Sequence, residues 1–404
     1  MQDIYLDNSA TTRPRKEAIE AALSAMNDAW GNPSSLHAHG RRAAELVHSC
    51  RNEILTALLG KNIAPKLPKK PGLIIPSGIG RLIFTASGTE SDNLAITGII
   101  KSCKVKNPRV ITTDSEHPAV LNTLSAIEKD GTEVYKLSTV NGKIDTDEFK
   151  KALTPNTVLI TIMAVNNETG AIYELKELFS YAKKTVPDVV CHTDCVQAFQ
   201  KIGLTPEALG ADMVTLSGHK IHAPKGIGAL YVSDALIKKK RPFPIIHGGG
   251  QEDFFRSGTE SVPLIAAFAA AVKHNGSDEA YLAFEKKTSA LRKLLIDNLP
   301  SGVRVNTPIG KYVPHIVSLT LPVKKSQPVL NFLSAEGIYV SSGSACSSHK
   351  DTVSHVLTAF GLSHDDADRT VRVSLDSENT EDDVLIFCDA LKRAIDKLGK
   401  DFKH

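Results

Sequence analysis

No run of this 404-residue chain approaches the ~20 consecutive apolar residues needed to cross a bilayer. Its first residues, Met1 to Asp7, carry neither a basic stretch nor an apolar signal core. A membrane role and export are therefore not expected, and a cytoplasmic location is. An excess of one charge sign is lacking too. The 48 basic and 45 acidic residues leave a formal net charge of +3, too small a field to suggest direct contact with nucleic acid. The basic cluster from Lys238 to Arg241 is expected to be a solvated loop. Six cysteines, at 50, 103, 191, 195, 346 and 388, include no CxxC pair, so neither a metal site nor a disulfide framework is expected. No G-x-G-x-x-G follows an early strand, which argues against a nicotinamide site. No internal repeat is present.

What is there reads as an ordinary globular chain, 42% hydrophobic and 23% charged, long enough for two domains. Between about 81 and 232, short β-rich runs at 82–85, 109–112, 133–135, 158–161, 189–192 and 213–215 alternate with segments such as 90–103 and 174–185, whose apolar residues recur at helical spacing. That alternation predicts an α/β fold with a mostly parallel sheet covered on both faces. Beyond Val262 a long helical tract, 263–298, leads to strands near 303–305 and 316–319 and helices at 327–336 and 381–398. This predicts a smaller α+β domain. The stretch 61–80, rich in Pro, Lys and Gly, is expected to be a surface excursion.

In parallel sheets, ligands bind beyond the carboxyl ends of the strands, and the unusual polar residues lie there. The run 212–216 stops abruptly at Ser217-Gly218-His219-Lys220. A lysine so placed can form a covalent bond to an aldehyde once its surroundings lower its pKa, although alone it is an ordinary surface lysine. Ser87-Gly88-Thr89 opens a helix, either as a phosphate cradle or as a plain capped turn. Asp194 follows the 189–192 strand, either holding a ring nitrogen or capping a helix. His117 follows another, either stacking on a flat cofactor or hydrogen-bonded in a loop. Asn166 to Gly170 form a further polar turn. Together these supply a phosphate cradle, a stacking ring, an acid for a ring nitrogen and a lysine for an aldehyde. Those are the requirements of pyridoxal 5′-phosphate.

Cys346 lies in a run of serine, glycine and alanine, 341–348. Cysteine is usually a buried hydrophobe, but these neighbours form no apolar pocket, so an accessible, reactive thiol is expected. With this loop in view, the chain resembles the cysteine desulfurases of the NifS/IscS type, within the class V aminotransferase superfamily of fold-type I. The matching stretches are YLDNSATT (5–12), GNPSSLHAHGRRA (31–43), FTASGTESDNLAI (84–96), NNETG (166–170), SGHK (217–220), PKGIGALYV (224–232), GGGQE (248–252), RSGTE (256–260) and SGSAC (342–346), all in one consistent order.

The resemblance implies a fold-type I pyridoxal-phosphate transferase. Its large domain, 15–262, would hold a mostly parallel seven-stranded sheet, and its small domain, 1–14 and 263–404, would carry the Cys346 loop. The implied reaction turns L-cysteine into L-alanine and leaves sulfur on the enzyme as a persulfide. Lys220 would bond to the cofactor and then shuttle protons, with His117 stacked on the ring, Asp194 on its nitrogen and Gln197 near its phenolic oxygen. Gly88, Thr89, Ser217 and His219 would hold the phosphate, together with Thr259 from a neighbouring subunit, which implies a homodimer. Asn167, Arg372 and Asn32 would bind substrate, and Cys346 would take the sulfur. The implied partner is a sulfur-acceptor protein, either a scaffold of iron–sulfur cluster biogenesis or a tRNA-thiolation enzyme. No metal is implied. Several features depart from the family pattern: the long 61–80 stretch, the wording TASGTES, Cys195 beside Asp194 and an ending soon after Leu398. A small-amino-acid aminotransferase, a selenocysteine lyase and a catalytically silent subunit are the competing readings. Cys346 speaks against the first, and the joint presence of Lys220, Asp194 and Cys346 speaks against the last.

Overall fold

A computed structural model describes residues 3–71, 78–275, 278–343 and 353–399. The strands, in chain order, are β1 (Ile4–Tyr5), β2 (Arg81–Thr85), β3 (Arg109–Thr113), β4 (Glu133–Leu137), β5 (Thr157–Thr161), β6 (Val190–Asp194), β7 (Met213–Ser217), β8 (Gly228–Val232), β9 (Arg304–Val305), β10 (Ile316–Thr320), β11 (Ile338–Tyr339), β12 (Ser341–Ser342) and β13 (Thr370–Ser374). Strands β2 to β8 form one seven-stranded sheet in the order β2-β8-β7-β6-β5-β3-β4. Only β8 runs against its neighbours. Six strands therefore point their carboxyl ends to the same edge, and that is where a site can be assembled.

Apolar residues decide which strands lie inside. Strands β5, β6, β7 and β8 are buried along their whole length, as continuous apolar runs predict for a sheet covered on both faces. Edge strand β4 exposes Glu133 and Lys136, and Arg109 on β3 forms a two-bond pair with Glu133 at 2.6 and 2.8 Å. One face packs on a core around Leu94, Ile96 and Ile99 of helix Gly88–Ser102. The other packs on Phe179, Phe149 and the helices that close the sheet.

The second core gathers β10, β13 and the helices Asp278–Asp297, Gln327–Ala335 and Glu381–Leu398. A four-stranded antiparallel sheet, β12-β13-β10-β9, lies over it. The amino-terminal strand β1 pairs with β11, and Ile4 and Leu6 join this core. The expected tract 263–298 is two helices, Val262–Asn275 and Asp278–Asp297. The first buries Ile265, Phe268 and Val272 in the core of the large sheet, so it packs with the residues before it, whereas the sequence assigned it to the small domain. Of the 61–80 stretch, residues 72–77 lie outside the described residues, and the part before them is less of an excursion than expected. A short 3-10 turn, Lys61–Lys66, delivers Leu67 and Pro68 into buried positions, and the Pro68 carbonyl accepts bonds from Asn52 at 2.8 Å and from the His48 ring at 2.7 Å. The basic cluster is also only partly solvated. Lys238 pairs with Asp234 and Lys239 with Asp188, while Arg241 turns inward to the Ser102 hydroxyl at 2.8 Å.

Candidate active site

At the carboxyl edge of the large sheet lies a cavity of about 290 Å³. Ten of the residues singled out from the sequence line it: Gly88, Thr89, His117, Asn167, Asp194, Gln197, Ser217, His219, Lys220 and Arg372. They come from the ends of β2, β3, β5, β6 and β7 and from β13 of the small sheet, so no stretch of sequence holds the site alone.

The turn after β2 forms one end. Ser87 caps helix Gly88–Ser102 by accepting from the Glu90 N–H at 3.1 Å, and Glu90 returns a carboxylate to the Ala86 N–H at 2.8 Å. The N–H groups of the first turn have no helical acceptor and favour an anion. Two glycines let this turn sit against the sheet. A Cβ on Gly88 would lie 2.9 Å from the Val196 methyl, and one on Gly228 would lie 2.5 Å from the Ser87 carbonyl carbon. Arg256 holds Glu90 at 2.7 Å, which ties the 256–260 loop to this turn.

Lys220 closes the 3-10 turn Gly218–Lys220 after β7. Its ammonium donates to the Ser9 and Ala10 carbonyls at 2.6 and 2.7 Å. The amino-terminal segment thus crosses from the small core to the lysine, and the Thr12 N–H and hydroxyl both meet the His219 carbonyl. Asp194 ends β6, is buried, and accepts from the Val196 N–H at 2.8 Å. Burial pushes its carboxyl up to about 6, opposed by that N–H and by Lys220. His117 caps helix Pro118–Glu128, its Nδ1 accepting from the Ala119 N–H at 3.1 Å. Burial, then the charge of Lys220, lowers it to about 4, so the ring is neutral and its proton sits on Nε2. His219 is lowered to about 3, again first by burial.

Arg372 on β13 reaches across from the small sheet and is 4% exposed. Its guanidinium donates to Asp7 at 2.8 Å and to the Asn167 carbonyl at 2.9 Å, leaving Nε without a partner. Asn167 Oδ1, Gln197 Oε1 and Ser9 Oγ are likewise buried without partners. Buried polar atoms are normally satisfied, so four such atoms around one cavity mark a place built for a polar guest.

Other expected residues lie elsewhere. Asn32 is exposed, its carboxamide accepting from the Ser34 N–H at 2.9 Å in a surface loop, and it does not line the cavity. Thr259 is exposed and also outside the cavity. Cys346 lies outside the described residues. Sequence reasoning gave no role to Ser9, Ala10 or Asp92, which line the cavity too. Asp92 sits one helical turn beyond Gly88, so spacing alone could have found it. It is fully buried, and burial followed by the charge of Asp194 pushes its carboxyl well above the usual range. Glu116, beside His117, accepts from the Thr113 hydroxyl at 2.7 Å and the Met163 N–H at 3.0 Å and holds the loop that presents the ring.

The model of the family described as aminotransferase class-V matches residues 76–387. A cysteine desulfurase IscS of Dictyoglomus turgidum is 35% identical over 98% of this chain and 95% of its own length. A solved NifS-like protein superposes with a TM-score of 0.86 at 30% identity, covering 98% of this chain and all of that one. A structure described as SspA in complex with cysteine does so with a TM-score of 0.77 at 32% identity, covering 94% of this chain and all of that one. With a family model that spans most of the sequence and relatives matched nearly end to end, the chain belongs to the class-V aminotransferase family.

Proposed function

We propose that the chain is a pyridoxal 5′-phosphate-dependent cysteine desulfurase, converting L-cysteine to L-alanine and passing the sulfur through Cys346 to an acceptor protein. The observation that carries this reading is the convergence of the Lys220 amine, the Asp194 carboxyl, the neutral His117 ring and the Gly88–Thr89 helix turn on one cavity. The unpartnered atoms around it and the close approach allowed by Gly88 fit the cofactor's polar rim and its phosphate. When bound, the cofactor supplies an electron sink that allows the Cβ–S bond to break.

The chain's own groups have separate tasks. The Ser9 and Ala10 carbonyls aim the Lys220 amine, which is placed to bond the aldehyde and later to carry protons. Asp194 would hold the proton of the ring nitrogen, and bringing a cation to it relieves the cost of its buried charge. His117 would present a flat, uncharged face. The first-turn N–H groups with Thr89, Ser217 and His219 would bind phosphate. Gln197 would meet the phenolic oxygen. Arg372, held by Asp7 and the Asn167 carbonyl, would bind the substrate carboxylate with Asn167. Thr259 would reach the cavity of a second copy, so the working unit is a homodimer.

Sulfur transfer balances without a co-reactant. The substrate sulfur joins the Cys346 thiol as a persulfide, and a proton takes its place on Cβ to give alanine. Of the described cysteines, burial pushes the thiols of Cys50 and Cys195 up to about 12 and that of Cys388 to about 11, and raises Cys191 further. Such thiols make poor nucleophiles. The acceptor is proposed to be an iron–sulfur scaffold or a tRNA-thiolation enzyme.

The test is to supply L-cysteine, measure alanine, and digest the protein to locate added sulfur. Alanine formation with one extra, reducible sulfur on the Cys346 peptide, both lost in Lys220→Ala, is the expected result. Alanine still formed at the native rate by Cys346→Ser, or sulfur found mainly on Cys195, would overturn the sulfur assignment. Amino-group exchange with a keto acid and no sulfur release would make the chain an aminotransferase instead.

A further inference from the structure

Against the Lys220 turn lies a second cavity of about 190 Å³. Its lining is cationic: Arg15, Lys201 and Lys287 face it together with His222 and His274, and Asp376 is the only carboxylate among its lining residues. That carboxylate is already engaged. Asp376 Oδ2 meets the His222 ring at 3.2 Å, while Oδ1 accepts from the Ser377 hydroxyl at 3.1 Å and the Glu378 N–H at 3.2 Å.

Lys201 is the anomaly. It is only 7% exposed, yet its ammonium makes no hydrogen bond or ion pair among the described residues. Buried ammonium groups are almost always paired, because desolvating an unpaired charge costs several kcal/mol. Burial lowers Lys201 to about 8, with Asp376 opposing, so it still carries its proton near neutral pH. A second cation is also short of acceptors. Arg15 gives one Nη to the His274 ring at 2.5 Å, and its buried Nε has none. Lys287 spends its ammonium on the Ser377 carbonyl at 2.5 Å. With Lys220, four lysine and arginine side chains thus line a space whose single carboxylate is spoken for, and Lys201 and Arg15 keep N–H groups in hand.

We propose that this cavity is a second binding site, for a small oxyanion gripped by Lys201 and Arg15. The cavity has room for one tetrahedral oxyanion or one short carboxylate, and a guanidinium beside an ammonium suits either. The site adjoins the cofactor cavity through Lys220, which lines both, and the Arg15 N–H bonds the His222 carbonyl at 3.0 Å two residues further on. It goes beyond the desulfurase reading and does not depend on it.

The test is thermal melting of the protein saturated with pyridoxal phosphate, so that the first phosphate site is filled. Inorganic phosphate, sulfate, acetate and L-alanine are titrated separately at constant ionic strength, with chloride as the reference. A saturable rise in the midpoint with at least one oxyanion is expected, and its identity separates the tetrahedral source from the carboxylate source. Lys201→Met should lose that saturable rise, and without oxyanion should melt no lower than the native protein because it removes an unpaired buried charge. Arg15→Gln should weaken binding at least tenfold and serves as the second probe if Lys201→Met does not fold. No saturable rise with any oxyanion, or an equal rise in both variants, would overturn the proposal.

Discussion

Gly88→Ala probes how closely the helix turn must approach its guest. The added Cβ would lie 2.9 Å from Val196 Cγ2, 3.4 Å from Ser217 Cβ and 3.7 Å from Thr215 Cγ2. Carbon atoms in contact prefer roughly 3.5–4.0 Å, so Val196 must retreat by about half an ångström or more. It cannot do so without consequence. Its χ1 is stiff, and its N–H holds the Asp194 carboxylate at 2.8 Å. Overpacking of this kind costs about 1–3 kcal/mol, while replacing glycine by alanine in a helix returns up to about 1 kcal/mol. Net destabilisation should therefore be about 0–3 kcal/mol. The larger effect falls on the cavity, where Val196 and Ser217 form the wall against the turn. Losing about 1–3 kcal/mol of phosphate contact means roughly a 5- to 150-fold weaker grip on pyridoxal phosphate. Fluorescence or absorbance titration of the cofactor-free variant measures this, with melting as the control. Unchanged cofactor affinity with unchanged stability would refute both the cradle and the close-approach argument.

Asp194→Asn should melt, without cofactor, no lower than the native protein above pH 7. Its folded pKa is raised, so the stabilisation by the native carboxyl is full below 3.8 and lost as pH rises through about 6. Turnover should nevertheless fall severely; full activity would reduce Asp194 to a cap for Val196. Arg372→Lys keeps the charge but cannot reach Asp7, the Asn167 carbonyl and a substrate together, so KM for L-cysteine should rise at least tenfold, with stability reduced by about 1–3 kcal/mol. An unchanged KM in steady-state kinetics removes it from the substrate site. Glu168 is buried and accepts from the Ser354 hydroxyl at 2.6 Å, and burial raises its carboxyl to about 7. Its contribution to stability is thus present below 4.5 and lost as pH rises through about 7, and Glu168→Gln should flatten that part of the melting-versus-pH curve. A curve as steep as the native one would count against it.

Local patterns in the sequence were enough to recover the strands β2 to β7, the helices that alternate with them and the polar residues at their ends, because apolar runs and helical spacing are set by neighbours a few positions apart. Position at strand ends also singled out eight of the cavity's residues, since in such a sheet that is where side chains can converge, whereas Gln197 and Arg372 entered only through the family resemblance. Other features depended on distant parts of the chain. That β8 alone runs antiparallel, bringing Gly228 against Ser87, follows from pairing across more than a hundred residues. Asn32, expected beside the substrate, does not line the cavity of its own chain, and helix Val262–Asn275 joined the larger core because its apolar face found partners there. The amino-terminal carbonyls that aim Lys220, and the unpaired Lys201 of the adjoining cavity, have no signature in sequence. A backbone carbonyl belongs to every residue, and whether a lysine is solvated or buried alone is decided only when segments nearly two hundred positions apart close around it.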